Sequence, residues 1–311
     1  MKSDYDLIIV GAGAGGLGAA KAAQGNGLDY CVLEASHRVG GRGLTEELAP
    51  GIPWDLGCHW LHSGGINALA TIADQLGIHY DKTSPSRAFY LNGAKVSPVE
   101  QGHFEHYMAR QWQNVQQSAA RGEDVALADL INYDSIWAPY YCYWQSLMTS
   151  EDVDSFSALD LVNYDDTDEN WPVREGYGEL LSRHAAGLSI ELNTKVENIN
   201  WSGNKISVTT NRGSLRAGKV VVTVSTGVLG GRDISFTPEL PLTTTEAIAA
   251  LPLGCYNNFA MLYEEEWPFD EDTPDRIDYS HGDDINFAFK LKCSGWPYIY
   301  CAVAGLSLIH I

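Results

Sequence analysis

The sequence has no cysteine pair spaced like a metal knuckle or a C-x-x-C redox site. Its six cysteines stand at 31, 58, 142, 255, 293 and 301, which predicts free thiols and a reducing compartment rather than a disulfide framework. It has no apolar run long enough to span a bilayer. Its opening, Met1-Lys2-Ser3-Asp4-Tyr5-Asp6, leads straight into a strand, without the apolar h-region or small-residue cleavage site of a secretory signal. A cytoplasmic protein with no membrane partner is therefore expected. Basic residues are scarce, 20 Lys and Arg against 40 Asp and Glu, for a net charge of −20. Such a surface repels nucleic acid and anionic membranes and attracts cations, so no nucleic-acid partner is expected. There is no internal repeat. The chain does have 311 residues, 45% of them apolar, enough for two domains or one large one.

Leu7 to Val10 is a short continuous apolar run, the pattern of a strand buried on both faces. Gly11 to Gly16 is a glycine turn, and Leu17 to Gln24 reads as a helix of small residues ended by Gly25-Asn26-Gly27. Tyr30 to Leu33 is a second buried strand, closing on Glu34. Strand, glycine turn, helix, strand and acid make one right-handed βαβ unit. A helix is predicted over 66–76, and helical stretches around 100–120 and 135–150. The aromatic group Trp137, Tyr140, Tyr141, Tyr143 and Trp144 in the last of these reads as core. Strand-like sequence returns near 176, with 190–192, 196–201, 206–210 and a buried strand at 219–224. Glu264 to Asp275 reads as an exposed acidic loop.

The turn Gly11-Ala12-Gly13-Ala14-Gly15-Gly16 fits G-x-G-x-x-G. Gly11 makes the tight turn, Gly13 removes a side chain where a pyrophosphate approaches, and Gly16 lets helix and strand pack closely. The helix N-terminus, at Ala14 and Gly15, offers N–H groups and partial positive charge to phosphates. Glu34 follows Gly16 by 18 residues, the spacing of a carboxylate that accepts from ribose hydroxyls. The same carboxylate repels a 2′-phosphate. The unit is a dinucleotide site, and these features alone leave NAD and FAD both open.

The segment that follows resembles the flavin-containing amine oxidase family, whose pattern L-E-A-x-x-R-x-G-G-R stands here as Leu33-Glu34-Ala35-Ser36-His37-Arg38-Val39-Gly40-Gly41-Arg42. Further similarity is carried by Asp55-Leu56-Gly57-Cys58-His59-Trp60-Leu61-His62, by Trp171 with Glu175 to Leu180, by Val222 to Leu229, and by Leu251-Pro252-Leu253-Gly254. The resemblance implies an α/β fold: an FAD/NAD(P)-binding Rossmann-like nucleotide domain of the glutathione-reductase type, with an interleaved α+β substrate domain. On this reading residues 1–80 and 176–240 bind FAD, and 81–175 and 241–311 form a substrate domain incomplete at its C-terminus. It implies cofactor contacts from Gly11, Gly13, Ala14, Gly15, Gly16, Glu34, Ala35, Arg38, Gly41, Arg42, Gly57, Cys58, His59 and Trp60, with Val196 meeting the adenine through its backbone. Cys58 also reads as a small packing residue.

The implied reaction oxidises a C–N bond of an amine to an imine while O2 is reduced to H2O2, so the expected partners are a small-molecule amine, with a polyamine as the candidate, and O2. His62 is the candidate for ordering the amine or accepting a proton. Three departures stand out. Ser36 replaces an arginine that many members carry near the adenosine phosphates. Asn258 replaces the family lysine near the flavin, which predicts either slow reoxidation or another residue in the lysine's place. The tail Ser307 to Ile311 has no counterpart, which points to a truncated chain. A related desaturase or porphyrinogen-type oxidase, and a non-catalytic FAD-binding fragment, are the alternatives.

Overall fold

The computed structural model describes residues 3–263, 273–282, 285–291 and 293–305. Most of the predicted acidic loop, 264–272, and the tail 307–311 lie outside the described residues. In chain order the first part contains β1 (Asp4–Val10), α1 (Ala14–Gly25), β2 (Tyr30–Leu33), β3 (Thr45–Ala49), β4 (Ile52–Asp55), β5 (Trp60–Leu61) and α2 (Ala68–Leu76). Next come β6 (Arg87–Leu91), β7 (Ala94–Lys95), α3 (Pro98–Ala120), α4 (Ala138–Thr149), α5 (Ala158–Asn163) and β8 (Trp171–Pro172). After these follow α6 (Tyr177–His184), β9 (Ile190–Glu191), β10 (Val196–Asn200), β11 (Ile206–Thr210), β12 (Gly213–Val222), α7 (Thr226–Gly230), β13 (Ser235–Thr237) and α8 (Leu242–Ala249). The last are β14 (Tyr256–Leu262), β15 (Arg276–His281), β16 (Ile285–Lys290) and β17 (Tyr298–Ala304).

These elements form two compact units. The first comprises Met1–Trp60, Ala68–His79 and Glu175–Leu253. Its seven-stranded sheet has the order β13-β10-β11-β12-β1-β2-β9, with β1 parallel to both β2 and β12. β1 is apolar without alternation because both its faces are covered. Ile8 and Val10 pack with Cys31, Leu33, Val208 and Leu215 on one side. Ile9 packs with Leu17 and Ala20 of α1 on the other.

Several sequence expectations shift here. The first unit runs on to Leu253, not 240, because α8 packs on α7. Residues 61–67 go with the second unit. α2 begins at Ala68 rather than 66, since Ile66 lies exposed ahead of it. The strand expected to be buried over 219–224 ends at Val222, and only one of its faces is covered: Val220 and Val222 turn to the core while Val221 is 38% exposed.

The second unit comprises Leu61–Asn67, Tyr80–Arg174 and Gly254–Ile311. It carries a six-stranded sheet in the order β14-β17-β16-β15-β6-β7. The aromatic group of α4 is core: Trp137, Tyr140 and Tyr141 are buried with Phe89 and Phe104, and Tyr143 and Trp144 pack against them. α3 buries one stripe, Phe104, Tyr107, Gln111, Val115 and Ser118, at the three- and four-residue spacing of a single helix face. Its start is fixed by a capping box between Ser97 and Glu100 with Pro98 at the first turn.

Candidate functional site

The glycine turn is set by close approaches that only glycine permits. Gly11 has φ +100°, and its N–H donates to Leu33 O at 2.9 Å. A Cβ on Gly16 would stand 1.8 Å from Gly11 O, so α1 can lie this close to β1 only without one. Gly13 is different. A Cβ there would meet nothing within 4 Å, while one on Gly41 would reach Gly13 Cα at 3.3 Å. Gly13 thus borders an open slot, and Gly41 packs against its Cα. α1 starts at Ala14 with no capping side chain and no acid in its first turn. Its first helical bond runs from Leu17 N–H to Gly13 O at 2.9 Å. The N–H groups of Ala14 and Gly15, both exposed, therefore precede the ladder.

Glu34 sits at the end of β2 with both carboxylate oxygens fixed. Ala12 N–H donates to Oε2 at 2.7 Å and Ser36 N–H to Oε1 at 2.8 Å. Ala35 is exposed beside it. Thr194 N–H donates to Glu34 O and Asn193 N–H to Ser36 O, each at 2.8 Å, which brings the strand bearing buried Val196 to this corner. A bulge lies between Val196 and Asn198.

Arg38 is engaged within its own loop. Its guanidinium turns into its own loop and donates to Val39 O at 3.1 Å, Gly41 O at 2.9 Å and Gly43 O at 3.5 Å. Arg38 thus clips the turn together. Arg42 alone is left exposed. Its carbonyl accepts from Cys58 N–H at 3.2 Å, and a Cβ on Gly57 would sit 2.1 Å from that oxygen. Cys58 is exposed, so it is not a packing residue.

Beneath this segment is a polar hub that sequence reasoning passed over. Asp55, 2% exposed, accepts from the Thr45 hydroxyl, from His59 Nδ1 at 2.8 Å and from Tyr177 N–H at 2.9 Å. Thr45 Oγ1 in turn accepts from Gly178 N–H at 2.8 Å. Asp55 ties 55–60 to β3 and to the start of α6. Its only sequence signal was its place at the head of the D-L-G stretch. Buried His59 is held by this bond and meets Trp60 edge-on at 5.1 Å. Burial, with Cys58 and Asp55 nearby, pushes the Tyr177 phenol up to about 12.

The two candidate catalytic residues lie in the second unit. His62 is exposed, and its Nδ1 is bonded to Asn170 Oδ1. The 165–169 loop folds onto the segment after His62: Gly64 N–H donates to Glu169 O at 2.9 Å and Gly65 N–H to Glu169 Oε2 at 3.0 Å. Ser63 Oγ–H donates to Asp166 Oδ1 at 3.4 Å. Asn258 is half-buried on β14, opposite Ala302 of β17. Among the described residues no group of three or more His, Cys, Asp or Glu is placed to hold a metal. No helix among them is long and apolar enough to cross a membrane.

The family model described as flavin containing amine oxidoreductase matches residues 14–159 and 137–289. Rice (Oryza sativa subsp. japonica) polyamine oxidase 4 is 30% identical over 302 residues, covering 86% of this chain and 61% of that protein. Lysine-specific histone demethylase 1 homolog 3 from the same plant is 29% identical, covering 96% of this chain and 40% of its own length. The chain thus spans less than two thirds of either relative. A solved structure of putrescine oxidase redesigned in its cofactor binding superposes with a TM-score of 0.77 at 20% identity, covering 99% of this chain and 77% of that one.

Proposed function

The chain belongs to the flavin containing amine oxidoreductase family, and from that premise we propose that it oxidises the C–N bond of a cationic amine of the polyamine class, with O2 as the electron acceptor. FAD is its cofactor, and when bound it supplies the acceptor for the hydride equivalent lost from the carbon beside the nitrogen. The cradle fits that group. The slot beside Gly13 is open, as close approach of a pyrophosphate to backbone requires, and the N–H groups at the start of α1 are uncapped. Arg42 offers an exposed fork for phosphate oxygens. Glu34 is held by two backbone N–H groups and keeps lone pairs for the ribose hydroxyls. Gly57 to Trp60, propped by Asp55, are the residues that would lie along the flavin end of the cofactor.

The observation that carries the amine reading is the loop beside His62. Four carboxylates, Asp165, Asp166, Asp168 and Glu169, are gathered within five residues, and hydrogen bonds hold that loop against residues 63–65. This is a local negative field suited to a substrate with more than one ammonium group. His62 is pre-set for a proton. With Asn170 Oδ1 as acceptor, its Nδ1 carries the hydrogen, and Nε2 is left to accept one from the substrate ammonium. An amine so neutralised has the free lone pair that C–N oxidation needs.

A peroxide-coupled assay over polyamines, monoamines and aromatic amino acids tests this reading. Polyamines are expected to turn over with the highest kcat/KM. His62→Ala should lower it by a hundredfold or so, the usual contribution of a positioned acid–base group. Equal turnover of neutral aromatic amino acids would refute the substrate class.

A further inference from the structure

An open cavity of about 460 Å³ lies in the second unit between α3 and the 130–137 segment. It is far from the glycine turn in sequence and belongs to none of the features above. Its size is that of a small-molecule site. His103, His106 and Arg110 line it from α3, at the three- and four-residue intervals that put them on one face. No carboxylate lines it, although acidic residues outnumber basic ones two to one along the chain, 40 to 20. The local charge is opposite to that of the molecule.

The floor holds a second, independent sign of a ligand. Gln111 is the amide in the buried stripe of α3 and is 3% exposed. Its Oε1 accepts from Asn132 N–H at 3.0 Å, which fixes the amide's orientation. Its NH2 has no partner among the described residues. The one side-chain polar atom among them that is both sealed and unpaired is Ser294 Oγ. The Gln111 NH2 therefore reaches open space, and the space it lines is this cavity. The indole N–H of Trp137, 5% exposed and also lining the cavity, is in the same state. Both donors thus face the open cavity, where a ligand oxygen can take the place of water.

The walls are built rather than accidental. Tyr107 O–H donates to Asn132 O at 3.0 Å and Asn114 Nδ2 donates to Leu130 O at 3.3 Å, so 130–132 is fastened to α3. Trp137 N–H donates to Ser135 Oγ at 3.3 Å. The ring of Trp137 rests on Phe89 and Phe104.

We propose that this cavity is a second ligand site that takes the phosphate group of a small phosphate monoester. An arginine fork, two imidazoles that each donate even when neutral, a side-chain amide and an indole N–H supply more donors than the two oxygens of a carboxylate can use. The three terminal oxygens of a monoester, with its near-double charge, match them. The net charge of −20 and the limited volume disfavour a nucleic-acid polymer.

The test is calorimetric titration of the purified FAD-bound chain with glucose 6-phosphate, inorganic phosphate, glucose and acetate at matched ionic strength. The two phosphates should bind saturably and the other two should not. Arg110→Ala, at an exposed position, should weaken phosphate binding about tenfold or more. Gln111→Glu keeps the acceptor for Asn132 N–H but replaces the inward donor with a negative charge, and should abolish binding. Absence of saturable phosphate binding overturns the proposal, and equal binding of acetate overturns its phosphate chemistry. Phosphate binding that survives both α3 substitutions but is lost in Gly13→Ala would place the ligand at the glycine turn instead, and the proposal would fail.

Discussion

Gly13→Ala and Gly16→Ala should part company, and the structure says by how much. At Gly16 the new methyl would stand 1.8 Å from Gly11 O, a backbone atom at the turn itself. α1 and β1 would have to move apart by more than an ångström. Overpacking of this kind costs about 1–3 kcal/mol or more, against a helix-propensity gain of about 1 kcal/mol for Gly to Ala. The expected net loss is on the order of 2 kcal/mol in the cofactor-free protein. At Gly13 the methyl meets nothing within 4 Å, and φ −75° with ψ −179° suits alanine. Its poorer N-cap, roughly 0.5–1 kcal/mol, is offset by a similar gain from restricting the unfolded chain. Apo stability should stay within about 0.5 kcal/mol of wild type, the range of a neutral surface change. That methyl instead occupies the open slot beside Gly13. Wild type at an FAD concentration of 100 Kd gains about 2.7 kcal/mol, a Tm rise of a few degrees. Gly13→Ala should lose most of that rise. Thermal unfolding of the three proteins with and without FAD reads both effects. If Gly13→Ala destabilises the apo chain as much as Gly16→Ala, or keeps the full FAD shift, the slot is not the pyrophosphate site.

Asp55→Ala strands the Thr45 hydroxyl, the His59 Nδ1–H and the Tyr177 N–H together. It should cost about 3 kcal/mol or more, read as a lower urea midpoint at unchanged slope; a loss under about 1 kcal/mol would mean the hub is dispensable. Burial, reinforced by Glu191, raises the Cys31 thiol from 9.0 to about 11. The folded state holds this proton more tightly, so the stabilisation is complete below pH 9 and is lost between pH 9 and pH 11, about 2–3 kcal/mol in all. Cys31→Ala should flatten the fall in urea midpoint over that interval, and an unchanged slope would rule the thiol out. Asn258→Lys should speed reoxidation of the reduced flavin by O2 in stopped flow; an unaltered rate would dismiss position 258.

The nucleotide half was legible because its signals are local. Strand, glycine turn, helix and Glu34 lie within about thirty consecutive residues, and the tightest glycine contact, Gly16 on Gly11 O, falls inside that span. The loop role of Arg38 was not legible because the same residue type serves phosphate or backbone carbonyls alike, and the contacts to Val39, Gly41 and Gly43 form only in the closed turn. Asp55 was passed over because one of its partners, Tyr177, is 122 residues away, beyond any pattern of spacing. Val221 belongs to an apolar run whose burial depends on what covers the sheet, and that is a tertiary fact. Gln111 could have been noticed: a lone amide in an apolar helical stripe is a question the sequence poses and the cavity takes up.

The threading of the chain also has a consequence for its synthesis. β1 can pair with β2 as soon as the first βαβ unit has left the ribosome, but its other neighbour, β12, is encoded roughly 200 residues later. At bacterial to eukaryotic elongation rates of about 5–20 residues per second, that leaves one edge of the central strand bare for about 10–40 s. During that interval the nascent protein presents Leu7 to Val10 to whatever else is in reach. The glycine turn is thus written first and finished late, and the half-made sheet is a client for chaperones before it is a home for a cofactor.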